Sequence, residues 1–96
     1  MRIGTALGRV LVKGPSMVPT LYDGDHLLVG RGWRVRPGDL VIARFRTRPE
    51  LVVVKRAVAP EDGGWRLVSD NPYATGPEGV ADVEARVVLR YRKGPR

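Results

Sequence analysis

Two side chains in this sequence stand in surroundings that could give them chemistry. Ser16 lies in Gly14-Pro15-Ser16-Met17-Val18-Pro19-Thr20-Leu21, which Tyr22-Asp23-Gly24-Asp25 closes. Gly14 permits a turn or a close backbone approach, Pro15 fixes its own φ, and Pro19 stops any helix from growing past one turn. The hydroxyl therefore sits on a short, stiff bend, the setting a nucleophile requires. A serine that caps its turn neighbours fits the same stretch. Lys55 lies in the run LVVVKRAVA at residues 51–59. Strand alternation puts Leu51, Val53, Lys55, Ala57 and Ala59 on one face, and Val52, Val54, Arg56 and Val58 on the other. Both faces are mostly apolar. A lysine among aliphatic neighbours loses hydration of its charged form, its pKa falls, and the neutral amine can take a proton from serine. Ser/Lys dyads run on that chemistry. The competing reading is a lysine that snorkels to the rim of its strand.

Other catalytic chemistries find fewer candidates. With no cysteine in the chain there is no disulfide framework, thiolate zinc site or cysteine nucleophile. A Ser/His/Asp triad would have to use His26, the only histidine, which starts a short strand beside a turn and reads as a surface residue. One histidine and scattered carboxylates make a poor metal site, so neither metal nor cofactor is expected.

The elements that must hold Ser16 and Lys55 read as strands. Apolar, β-branched runs occur at residues 9–12, 26–29, 39–45, 51–59, 65–68 and 86–92, separated by Gly/Pro turns. Residues 60–64 (PEDGG) form a hairpin-type connection, residues 69–76 (SDNPYATG) a loop, and residues 81–84 are expected to make one helical turn. Residues 1–8 carry little pattern and are expected to lie loosely. This spacing predicts one small, mostly β, antiparallel domain.

The motifs resemble, in order and spacing, those of the type I signal peptidase family. They are Gly-Pro-Ser-Met-x-Pro-Thr-Leu with Gly24-Asp25, Arg-Pro-Gly-Asp-Leu-Val at 36–41, Val54-Lys55-Arg56 and Asp70-Asn71-Pro72. The resemblance covers roughly residues 10–92. The Val-Val-Lys-Arg-Ala-Val wording and the short length most resemble the nickel-type superoxide dismutase maturation proteases of that family. The resemblance implies one Ser/Lys peptidase domain over residues 1–96, of the fold shared with the catalytic domains of self-cleaving SOS-type repressors. It implies Ser16 as nucleophile with its own backbone N–H as oxyanion donor, Lys55 as general base, and Met17 beneath the nucleophile. Asp70 and Asn71 match a Gly-Asp-Asn loop in which Ser69 replaces the glycine. Thr75 falls where a hydroxyl aims the lysine. Pro77, Glu78 and Gly79 replace an Asp-Ser-Arg group, so its structural ion pair is absent. Gly14 stands where some relatives carry a further oxyanion hydroxyl. The implied partner is a protein carrying an N-terminal leader. A self-cleaving repressor relative and a non-enzymatic basic β module remain the alternatives.

Composition sets bounds on these readings. The formal net charge is +7, from 17 basic and 10 acidic residues. Such an excess suits an acidic substrate, an anionic membrane or nucleic acid. Arg44, Arg46 and Arg48 alternate on one strand face, and Trp33 sits in the basic loop 31–38. With no helix-turn-helix or RNA-binding signature, that face reads as solvated, and no nucleic acid is expected. No run approaches the roughly 20 apolar residues of a membrane span. Residues 1–7 are too short and polar for a secretory signal. The expectation is a cytoplasmic, soluble protein, with peripheral attachment to a membrane as the alternative.

Overall fold

A computed structural model describes residues 7–95. Six strands form one antiparallel sheet: β1 (Leu7–Leu11), β2 (His26–Gly30), β3 (Leu40–Phe45), β4 (Val53–Glu61), β5 (Gly64–Val68) and β6 (Val80–Arg92). Their order is β1-β2-β6-β3-β4-β5, and β5 also pairs with β6. Strands β3, β4, β5 and β6 therefore close on themselves, and β1 and β2 extend as a wing from the C-terminal half of β6.

The near-continuous apolar run of β3 follows from this arrangement. Val41, Ala43 and Phe45 point into the closed ring with Ala57, Leu67 and Ala81. Ile42 points the other way, into a second core beneath the wing with Val12, Met17, Leu21, Leu27, Val29 and Ala85. A strand buried on both faces loses polar alternation. The hairpin expected at residues 60–64 forms between β4 and β5, with Asp62 and Gly63 at φ 48° and 77°. An Asp-Gly pair at positive φ suits the tight turn that matches strand twist.

The helical turn expected at residues 81–84 is instead part of β6. Ala81 and Val83 pack into the ring core, whereas Asp82 and Glu84 face outward to Arg46 and Arg44 at 2.7 and 2.6 Å. This period of two lets the segment pair with β3 and β5, which an isolated helical turn cannot do. The same ion pairs, with Arg48–Glu50 at 2.6 Å, occupy the arginine face read as solvated. The first strand starts at Leu7, and the loose segment expected at its N-terminal side otherwise lies outside the described residues.

Candidate active site

The bend carrying Ser16 is fixed at both ends. Gly14, at φ 81°, turns the chain out of β1 and donates its N–H to Asp23 Oδ1 at 2.8 Å. Thr20 and Leu21 both donate to the Met17 carbonyl at 2.8 Å, and the Val18–Pro19 peptide is cis. Met17 and Leu21 are buried and pin this turn to the wing core. Ser16, between the exposed Pro15 and the buried Met17, stays half-buried. Among the described residues its N–H and its Oγ have no intramolecular partner, which leaves both open to a bound carbonyl.

Lys55 stands on the ring-facing side of β4 opposite Val41, only 9% exposed. Burial pushes its amine below the usual lysine pKa. The snorkelling alternative requires an exposed rim and does not fit this position. Lys55 Nζ donates to Ser69 Oγ at 2.7 Å. Register explains the partner: Arg56 pairs with Val68, so continuing the ladder sets Ser69 across from Lys55.

Ser69, Asp70 and Asn71 tie the two candidates to one segment. Asn71 donates its N–H to the Ser16 carbonyl and its Nδ2 to the Pro15 carbonyl, both at 3.0 Å. Asp70 accepts from Arg56 Nε at 3.0 Å, from Arg56 Nη2 at 2.5 Å and from Thr20 Oγ1 at 2.5 Å. The Arg56 guanidinium, aided by Thr20, holds the Asp70 carboxyl below its usual range despite partial burial. Met17 sulfur meets the Asp70 N–H at 3.3 Å, so the buried methionine packs under both the bend and the loop. Ser16 and Lys55 are thereby anchored two residues apart on the same strip of backbone, a span of about 7 Å at full extension.

Some expected contacts take a different form. The hydroxyl on Lys55 is that of Ser69, not of Thr75, which is exposed on the wall of the same cleft of about 410 Å³. Lys55, Ser69 and Asn71 also line this cleft, and Ser16 stands outside its wall. Where an ion pair at residues 77–79 is absent, the bidentate Arg56–Asp70 pair holds the loop from the other side. Arg56, Thr20 and Ser69 escape a reading of the sequence alone. No local signal marks Ser69, because the β4–β5 ladder that sets it across from Lys55 carries a register shift between Ala57 and Ala59. His26 lies on β2 with its ring 5.8 Å from that of Tyr91. Among the described residues there is no group of three His, Cys, Asp or Glu that could hold a metal, and no helix long and apolar enough to cross a membrane.

The Peptidase S24-like family matches residues 2–88. No curated protein matches the chain.

Proposed function

Because this chain belongs to the Peptidase S24-like family, in the same clan as the signal peptidases, we propose that it is a serine endopeptidase whose dyad is Ser16 and Lys55. The observation that carries this reading is the shared anchorage of the two residues on Ser69–Asn71, with the lysine buried. Neutral Lys55 keeps one N–H on Ser69 while its lone pair takes the proton from Ser16 Oγ. The oxygen attacks the scissile carbonyl carbon, and the resulting oxyanion accepts the Ser16 N–H. Collapse breaks the C–N bond, and Lys55 returns its proton to the leaving amine. Water, losing a proton to the same amine, then hydrolyses the acyl-serine. Ser69 acts in this scheme as a positioning residue.

The substrate proposed is an extended N-terminal leader, and the Val-Val-Lys-Arg-Ala-Val wording favours the leader of a nickel superoxide dismutase. The test is incubation of that precursor with the full chain, followed by N-terminal sequencing of the product. A single cut lost in both Ser16→Ala and Lys55→Met supports the reading. Cleavage that survives Ser16→Ala contradicts it. The family match also favours a second reading, self-cleavage as in the SOS-type repressors. That reading calls for first-order appearance of a shortened chain, independent of protein concentration.

A further inference from the structure

The outer face of the wing plays no part in this chemistry. The β1–β2 register sets Leu7, Arg9 and Leu11 against Gly30, Leu28 and His26, and Leu28 in turn faces Leu89 on β6. Leu7 is 59% exposed, Leu11 42%, and Leu89 and Tyr91 46% each. Trp33 covers Gly30, where a Cβ would lie 2.5 Å from the indole nitrogen, and the Arg86 guanidinium lies over its ring at 4.7 Å. Apolar and aromatic side chains thus form one sheet face around which cations gather.

The charge on this wing has a single sign. Strands β1 and β2 and residues 85–92 contain Arg9, Arg86, Arg90 and Arg92, and no Asp or Glu. Arg90 turns inward to Asp25. Arg9, Arg86 and Arg92 have no acidic partner among the described residues, in contrast to Arg44, Arg46 and Arg48 on the opposite side.

We propose that this face docks on an anionic lipid bilayer. Leucines, a tyrosine and an indole interleaved with arginines match the interface between headgroups and acyl chains, where apolar parts insert and guanidinium groups meet phosphate. A second copy of this chain would press unpaired arginines against their own kind. Nucleic acid would engage the cations and leave the leucines unburied. The inference is independent of the proteolytic reading, since it uses none of Ser16, Lys55 or the loop at 69–71.

The test is co-sedimentation of the full chain with vesicles of phosphatidylglycerol or of phosphatidylcholine, at low and high salt. Binding to the anionic vesicles alone, weakened by salt, is the expected result. Arg9→Gln should weaken it about fivefold, and Leu89→Ser roughly tenfold or more. Arg48→Gln, which makes the same charge change on another surface, should leave it nearly unchanged. Arg9→Gln sits on an exposed edge strand, so its result stands even if Leu89→Ser fails to fold. Absence of binding to phosphatidylglycerol at low salt would overturn the proposal, as would equal losses from Arg9→Gln and Arg48→Gln. A concentration-dependent dimer that Leu89→Ser abolishes would also overturn it.

Discussion

Lys55 Nζ and Ser69 Oγ are joined by a 2.7 Å hydrogen bond across the β4–β5 hairpin. The bond orients a buried amine whose other neighbours on its face, Val53 and Ala57, offer it no polar atom. It therefore decides where the lysine lone pair can point.

Ser69→Ala is expected to lower kcat about 10- to 100-fold with KM little changed, because the amine loses its alignment and the cleft keeps its shape. Ser69→Thr, which keeps the hydroxyl, should recover most of the rate. Steady-state kinetics on any cleaved peptide checks both.

In the proposed dyad the reacting form is the neutral amine, so activity should rise with pH through the Lys55 pKa, which burial lowers. Stability follows the same group. The unfolded lysine binds its proton more tightly than the folded one, so burial costs stability below the folded pKa, and the cost fades as pH rises toward the unfolded value of about 10.4. Lys55→Met should accordingly abolish cleavage while raising Tm at pH 7, by several degrees for a gain on the order of 1 kcal/mol. That gain should shrink in alkaline buffer. Thermal melts across pH measure it.

Asp70→Asn should destabilise the chain by about 1.5–3 kcal/mol at pH 7, the usual worth of hydrogen bonds to a charged partner in a half-buried setting. The folded carboxyl titrates below its unfolded value, so its contribution is fully present above the unfolded pKa and is lost as pH falls through the folded one. Urea denaturation should show wild type and variant converging in strong acid.

Asp25 is fully buried and accepts from the N–H groups of Tyr22 and Gly94 at 2.9 and 2.8 Å, with Arg90 at 3.3 Å. Asp25→Ala removes the buried carboxylate that the Tyr22 and Gly94 N–H groups and Arg90 share, and should cost roughly 3–5 kcal/mol. The loss should appear as a lower urea midpoint and as faster amide exchange at Gly94.

The strands were legible because β-branched runs alternate with Gly/Pro turns, and Ser16 and Lys55 stand out as candidates because each has unusual neighbours. Residues 81–84 were not. Their alternation of small apolar and acidic residues fits a helical turn as well as a strand until the arginines of the β3 end are in place. The lysine's partner was hidden for a different reason. A register shift between Ala57 and Ala59 moves the β4–β5 ladder by one residue, and an unbulged hairpin closed at Glu61–Gly64 would set Asp70, not Ser69, across from Lys55. Nothing in the local sequence marks that shift. Arg56–Asp70 likewise joins residues that only the folded hairpin brings together.

The dyad itself is tested most directly by peptide mapping of the full chain after reaction with an acylating β-lactone. One acyl group on Ser16 is expected, retained in Ser69→Ala and absent from Ser16→Ala and Lys55→Met. Acylation at Ser69 in its place, or labelling of Ser16 that persists without Lys55, would contradict it.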